Sequence, residues 1–310
     1  STMTLDTVIG GDTATHVAWC TAEAMLRRYD IVHLHALGPS LFAGLPRLAG
    51  ARTAVTVHGL DWQRQKWGRA AAWLLRQCEG PAARFPDRTI VVSKTLRAYF
   101  REHHHCDAAF IPNGTNLPRP RAAKKILQLG LTPGKYVLFV GRLVPEKGVH
   151  LLCEAFSQID TDMKLALVGG HSFSQDYVKL LKGFESDRIR LLDYVFGESL
   201  EELWSNAYMV VQPSTMEGLS IALLEALSYG RCVLLSDIPE NLEVAEGCSV
   251  SFRSQDVRDL REKLEALLRD PTRVASFEQR ARAHILEHYS WDRVAAATEE
   301  VYRGMLERRR

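Results

Sequence analysis

The sequence predicts an α/β protein made of two doubly wound parallel-sheet domains that face each other across a cleft. Two observations carry that prediction. Short runs rich in β-branched residues recur along the chain, with amphipathic helical stretches between them, as in parallel strands covered on both faces by crossover helices. A Pro-dense stretch, Leu117-Pro118-Arg119-Pro120, then splits the alternation into two series, because such a stretch continues neither a helix nor a central strand.

In the first series residues 31–35, 53–57, 89–92 and 109–111 read as strands, and 15–28, 62–79 and 94–103 as helices. In the second the strands are 136–140, 164–168, 189–192, 208–212 and 232–236. Helices fall near 148–159, 174–184, 199–206 and 220–229, two more cover 256–287, and a last one runs from Trp291 to Met305. Ser199 and Glu202 have the S-x-x-E spacing of a capping box. The expected domains are 1–118, joined by a returning helix 289–310, and 119–288. Ligands of doubly wound sheets bind beyond the carboxyl ends of the strands, so the loops that follow strands are where chemistry is sought.

Composition narrows the class. Of 310 residues, 46% are hydrophobic and 25% charged, which argues against disorder, collagen-like repeats and coiled coil. No apolar run reaches 18 residues, so no membrane-spanning helix is expected. Ser1–Ile9 shows no basic segment ahead of an apolar core, so no signal peptide is expected. The six cysteines (Cys20, Cys78, Cys106, Cys153, Cys232, Cys248) are dispersed without a CxxC pair. That pattern fits thiols in a reducing cytoplasm better than a zinc site or disulfide framework. Residues 1–118 carry 13 Lys/Arg against 9 Asp/Glu, and residues 119–288 carry 21 against 24. Nucleic-acid binding, which favours a clearly basic domain, is not expected. The mildly basic first half leaves room for an anionic substrate or membrane surface.

Two local patterns have two readings each. His103-His104-His105 is a candidate metal run, but neighbouring helical residues point apart, and a solvated helix end is preferred. In a helix over 62–79, Lys66, Arg69 and Arg76 share a side with Trp62 and Trp73. Trp interleaved with cations suits peripheral contact with the inner face of a membrane. The preferred alternative is a domain helix whose Trp side chains pack on neighbours.

The first motif with chemistry is Val140-Gly141-Arg142-Leu143-Val144-Pro145-Glu146-Lys147-Gly148, between a strand and a helix. Gly141 allows a sharp turn. Arg142, a planar fork, and Lys147, a point charge, can reach one anion from one loop, which suits a diphosphate. Solvated surface cations are the alternative. The second motif, Pro213-Ser214-Thr215-Met216-Glu217-Gly218-Leu219-Ser220 followed by Ile221–Ala226, also joins a strand to a helix. Gly218 permits the turn, and the amides of Leu219 and Ser220 lie at a helix N-terminus, which favours an anion. Glu217 at the mouth and Glu225 about two helical turns lower, at ~1.5 Å per residue, would hold the two ends of a polyhydroxylated ligand. Either Glu alone reads equally as a solvated residue.

These residues resemble the retaining family 4 glycosyltransferases of the GT-B fold, whose two domains are Rossmann-like. Glu217 and Glu225 match the family's E-x7-E motif, and Arg142 with Lys147 matches its G-R-x-x-x-x-K-G loop. Ile111-Pro112-Asn113-Gly114, Tyr289-Ser290-Trp291 and Val57-His58-Gly59 match in the expected order, so the resemblance runs from about residue 20 to the C-terminus. It implies that Gly141, Arg142 and Lys147 bind a diphosphate and that Glu225 holds the nucleotide ribose. Glu217, with the backbone of Gly218, Leu219 and Ser220, would orient the sugar. Tyr194 and Val195 would border the base, and His58 would face the transferred sugar, with His33 and His35 as weaker candidates near another strand end. Residues 119–288 would then bind the donor and residues 1–118 the acceptor.

The implied reaction moves a sugar from a nucleotide-diphosphate sugar (a UDP- or GDP-sugar) to a hydroxyl of a glycan or lipid-linked saccharide, with retention of configuration. No metal ion or other cofactor is expected to be required. The first domain is expected to be shortened relative to the family, or completed otherwise, because only about 30 residues precede Ile31 and a βαβ unit needs roughly that many. Gly10-Gly11 has two readings, the remnant of a Gly-rich turn or an unrelated pair. This motivates an alternative, a catalytically impaired donor-binding subunit whose first domain is completed by a partner chain. An NAD-dependent oxidoreductase is disfavoured because no strand is followed by G-x-G-x-x-G, and a sugar-nucleotide epimerase remains a further alternative.

Overall fold

A computed structural model describes residues 12–63, 67–170 and 175–307, and the side chains from residue 15 on. Gly10, Gly11 and Lys66 lie outside the described residues. The chain divides into two compact units, Ser1–Pro112 with Ala295–Arg310, and Asn113–Val294.

The first unit contains α1 (Asp12–Arg27), β1 (Ile31–His35), α2 (Leu45–Leu48), β2 (Arg52–Val57), α3 (Arg69–Gln77), α4 (Glu79–Arg84), β3 (Arg88–Val91), α5 (Lys94–His104) and β4 (Ala109–Phe110). Its strands form a parallel sheet in the order β1-β2-β3-β4. The β-branched and small residues that mark the strands supply its core: Ala54, Val55, Val57, Ile90 and Val91 are buried. Ser93 caps α5 by accepting the Leu96 N–H at 3.1 Å, and His105 ends it in the left-handed conformation.

The second unit contains α6 (Lys125–Gln128), β5 (Tyr136–Val140), α7 (Val149–Ser157), β6 (Lys164–Val168), α8 (Gln175–Lys182), β7 (Ile189–Leu191), α9 (Glu198–Asn206), β8 (Met209–Gln212), α10 (Ile221–Ser228), β9 (Val233–Ser236), α11 (Pro239–Val244), β10 (Val250–Phe252), α12 (Val257–Leu268) and α13 (Pro271–His288). The last helix, α14 (Trp291–Glu307), begins in this unit and continues in the first. The sheet is parallel throughout, in the order β10-β9-β8-β5-β6-β7. Chain order reverses between β5 and β8, so the loops after these two strands flank the switch point where doubly wound sheets bind ligands. Val137, Phe139, Leu165, Leu167, Met209 and Val211 pack with residues of α7 and α12 in one hydrophobic core.

Four expectations need correction. The helix expected over 62–79 is three pieces: a 3-10 turn at Asp61–Gln63, then α3, then α4. Gly68 stands in extended conformation ahead of α3, so no single face joins Trp62 to Trp73. The Trp62 indole instead donates to Glu79 at 2.5 Å, and the Arg76 guanidinium lies 5.1 Å from the Trp62 ring. Second, His104 is not part of a solvated end. It contacts buried Glu79 at 3.0 Å, and Tyr99 donates to the same carboxylate, so the interior acid is fully partnered. Third, Ser199 and Glu202 make no capping box. Gly197 precedes α9, and Glu202 accepts the amides of Lys124, Lys125 and Ile126 at 2.7–3.2 Å, capping α6 across sequence. Those amides, Lys124 first, hold its carboxyl below the usual range. Fourth, β10 and the short helices α2, α6 and α11 lie outside the expected elements.

Two glycines let the loops of the second unit close on one another. Gly148 has φ 65°, and a Cβ there would be driven into the Pro213 carbonyl oxygen. A Cβ on Gly169, φ 147°, would be driven into the carbonyl oxygen of Gly141. Gly148→Ala therefore combines a strained backbone with a collision against main chain that cannot swing away. It should cost about 2 kcal/mol or more of unfolding free energy, read by urea denaturation; a loss within about 0.5 kcal/mol would contradict the close approach.

In the first unit His33 bridges α14 and β2: Nδ1 meets the Tyr302 hydroxyl at 2.6 Å and Nε2 the Thr56 hydroxyl at 2.7 Å. Burial first, then the neighbouring His35 and His58, lowers its pKa to about 4. Above pH ~6.5 the imidazole is neutral in both folded and unfolded chains. As pH falls from there toward 4, the unfolded chain takes a proton that the folded chain refuses, so stability falls. The melting temperature should drop across that window, and His33→Gln should flatten the drop; an unchanged profile in the variant would rule His33 out as its source.

Candidate active site

The loop after β5 and the loop after β8 are built against each other. The Glu146 carbonyl accepts the Thr215 N–H at 2.9 Å and the Thr215 hydroxyl at 3.3 Å. With Gly148 against Pro213, these contacts bring Lys147 and Glu217 together: Nζ lies 2.5 Å from Glu217 Oε1, and the two side chains are only 13% and 9% exposed. At such low exposure the pair is shielded from solvent screening.

Three other expected residues stand in the same loops. Arg142 is exposed, and its guanidinium makes no hydrogen bond or ion pair among the described residues. Ser220 caps α10, its hydroxyl accepting the Leu223 N–H at 3.3 Å. The amides of Gly218, Leu219 and Ser220 have no acceptor among the described residues. Unbonded amides at a helix N-terminus are donors ready for an anion.

Glu225 lies one turn into α10 and is partly buried. Its carboxylate meets no donor among the described residues, and burial raises its pKa. A buried acid without a donor is costly in an unliganded fold, and ligand hydroxyls would satisfy it. Glu240, at the start of α11, is a further half-buried acid whose pKa is raised by burial first and then by Glu217 and Glu243. Nothing in its sequence context distinguishes it.

Gly141 and Gly170 link the first loop to the loop after β6: Gly141 donates to Val168 at 3.0 Å and Leu143 to the Gly170 carbonyl at 3.1 Å. Asp193, at φ 46°, accepts the Gly169 N–H at 2.9 Å. The Tyr194 ring lies against Gly170, where a Cβ would collide with it. Phe196 stacks beside Tyr194 with centroids 5.8 Å apart and rings 10° from parallel. Tyr194 therefore borders the loop after β6. Gly169, Gly170 and Phe196 belong to the same place and were missed: two glycines after a strand look like any turn, and Phe196 follows the stretch that was read. Gln212, buried at the end of β8, was also missed, although its amide touches Glu217.

In the first unit His58 follows β2, and its Nε2 lies 3.1 Å from His35 Nδ1. His35 stacks in turn on His33 at 4.4 Å between centroids. The three histidines thus form one row at the strand ends. Among the described residues no group of three or more His, Cys, Asp or Glu is arranged to hold a metal ion. Asp160-Thr161-Asp162 has D-x-D spacing, but it precedes β6, at the opposite end of the sheet from these loops, and Asp162 pairs with Lys135 at 3.0 Å. Among the described residues no helix is long and apolar enough to cross a membrane.

Residues 14–119 match the family described as Glycosyltransferase Family 4, and residues 134–270 match Glycosyl transferases group 1. The chain is 26% identical over 309 residues to an alpha-maltose-1-phosphate synthase of Mycobacterium tuberculosis, covering 88% of this chain and 78% of the relative. It is 25% identical over 311 residues to a D-inositol 3-phosphate glycosyltransferase of an Arthrobacter species, covering 90% and 72%. Among solved structures it resembles sucrose-phosphate synthase of Thermosynechococcus elongatus, with a TM-score of 0.83, 23% identity, and 97% and 81% coverage. It also resembles Anabaena HepE in complex with UDP-glucose, with a TM-score of 0.80, 19% identity, and 96% and 83% coverage. Two family matches spanning both units, on a fold of two parallel Rossmann-like sheets, agree with the motifs: the chain belongs to the family 4 type glycosyltransferases of the GT-B fold.

Proposed function

We propose that this chain is a retaining glycosyltransferase that moves a sugar from a nucleotide-diphosphate sugar to a hydroxyl of a saccharide or lipid-linked acceptor, without a required metal ion. The observation that carries this reading is the cradle in the second unit. An unpartnered guanidinium, Arg142, and a shielded Lys147–Glu217 pair occur in loops that also present free amides at the start of α10. That hardware matches a leaving group whose negative charge grows as its bond to the anomeric carbon breaks.

In this reading Arg142, Lys147 and the amides of Gly218, Leu219 and Ser220 take the diphosphate and stabilise the charge developing on it. Lys147 has three donors, so it can hold Glu217 and a phosphate oxygen together. Glu225 accepts the ribose hydroxyls, and Glu217 accepts a hydroxyl of the sugar. Gly141, Tyr194 and Val195 lie along the nucleotide, and His58 of the first unit is the residue proposed to meet the transferred sugar. The acceptor oxygen attacks the anomeric carbon from the side the diphosphate leaves, and its proton passes to the departing phosphate oxygen. Retention rests on the match to the family's E-x7-E motif; the anomeric configuration of the product, read by NMR, tests it.

Melting shifts with UDP, GDP, ADP and their sugars, followed by nucleotide release with saccharide acceptors, test the donor reading. One nucleotide series should stabilise the protein, as expected for a ligand that binds only the folded chain. Glu225→Ala should weaken binding of that nucleotide about tenfold or more, the loss of hydrogen bonds to a charged group. Glu217→Ala should mainly lower transfer. Equal nucleotide affinity in wild type and Glu225→Ala would remove the ribose role. Binding without transfer to any acceptor would instead mark a donor-binding subunit.

A further inference from the structure

The two oxygens of Glu217 are not equivalent. Oε1 takes Lys147 Nζ at 2.5 Å and Gln212 Nε2 at 3.1 Å, whereas Oε2 has no partner among the described residues. Gln212 is the last residue of β8, 1% exposed, and follows two buried valines. An apolar side chain would suit that position in the fold.

Its amide does specific work nonetheless. Nε2 also lies 3.1 Å from the hydroxyls of Ser214 and Ser220, the second of which caps α10. The amide orientation follows from the carboxylate: a carbonyl oxygen turned toward Glu217 would set two acceptors against each other. The cost is visible at the other end, because Gln212 Oε1 is buried without a donor. An orphaned buried acceptor is unfavourable by about 1–3 kcal/mol, and apolar replacement would remove that cost. Retaining the amide fits a task at Glu217 rather than in the core.

We propose that Gln212 is a positioning residue: with Lys147 it commits one oxygen of Glu217 and leaves Oε2 to accept a hydroxyl of the donor sugar. This rests on the donor reading above and adds a residue outside both the E-x7-E pair and the phosphate loop. Two fixed donors on one oxygen remove rotation of the carboxylate about its last bond. The free oxygen then has one direction, which is what orientation at a reacting sugar requires. The diphosphate depends less on this constraint, because the groups proposed to bind it, Arg142, Lys147 and the amides of Gly218, Leu219 and Ser220, make no hydrogen bond to Gln212 among the described residues.

Gln212→Met keeps the length and removes the donor. With UDP and UDP-glucose as probes, and GDP-mannose and ADP-glucose alongside, the variant should bind the nucleoside diphosphate within about twofold of wild type while kcat for transfer falls about tenfold or more. Gln212→Glu supplies the second readout. Its carboxyl can donate to Glu217 only when protonated, so its transfer rate relative to wild type should rise as pH is lowered; a spacer role would give parallel pH profiles. Unchanged kcat, or equal losses of UDP affinity and kcat with a lowered melting temperature, would overturn the proposal. Failure of the wild type to bind or release any of these nucleotides would overturn the donor reading itself, and this inference with it.

Discussion

Everything at the candidate site depends on how closely two loops of the second unit approach. Lys147 and Glu217 are 70 positions apart in sequence, yet the ion pair needs their side chains in contact with little water between them. The main chain provides that closeness first. Gly148 admits the Pro213 carbonyl where any side chain would stand, and the Glu146 carbonyl anchors Thr215. The strand order makes the approach available, since β5 and β8 are hydrogen-bonded neighbours. The side-chain pair is therefore a consequence of backbone packing. Its charges are brought together in advance of any ligand, so little reorganisation is left for the moment of reaction.

The charge distribution in the cradle has a consequence of its own. Lys147 is balanced by Glu217, and among the described residues Arg142 of the same loop makes no ion pair. Glu225 and Glu240 are partly buried acids whose pKa values are raised by burial. In the proposed reading a diphosphate would meet the exposed Arg142 guanidinium and the unbonded amides of Gly218, Leu219 and Ser220. On the proposed donor reading, that arrangement would favour a diphosphate flanked by hydroxyl-bearing rings over a bare polyanion, which the carboxylates would repel.

Much of the fold was legible because parallel strands buried on both faces write themselves as β-branched runs, and nine of them stand out. The tenth, Val250–Phe252, is three residues with an exposed serine at its centre, too short to show a period. The stretch 62–79 read as one helix because most residues on either side of Gly68 are tolerated in helices. The break comes from Gly68 and from the pull of buried Glu79 on Trp62, a tertiary interaction that periodicity cannot display. At the candidate site, Arg142, Lys147, Glu217 and Glu225 stood out through their spacing after strands and not singly, since each alone reads equally as a solvated residue. Gln212 and Glu240 did not, since their meaning is supplied by neighbours that only folding brings near.

The motifs at the two ends of the second unit make the same point from the other direction. Gly114 and Trp291 look unrelated in sequence, but a Cβ on Gly114 would strike the Trp291 ring. Thr115 pairs with Ser290 as an isolated parallel bridge and donates its N–H to the Tyr289 carbonyl at 2.8 Å. Ile111-Pro112-Asn113-Gly114 and Tyr289-Ser290-Trp291 are thus two halves of one contact. The chain enters the second unit at this contact and leaves it three residues after Trp291. Paired motifs of this kind constrain where chain segments meet rather than what they catalyse. The spacing of Glu217 and Glu225 has another origin: Glu217 stands in the turn before Ser220, which caps α10, and Glu225 stands one turn inside that helix. The eight-residue separation is what remains when a loop-borne carboxylate and a helix-borne carboxylate share one capped helix start.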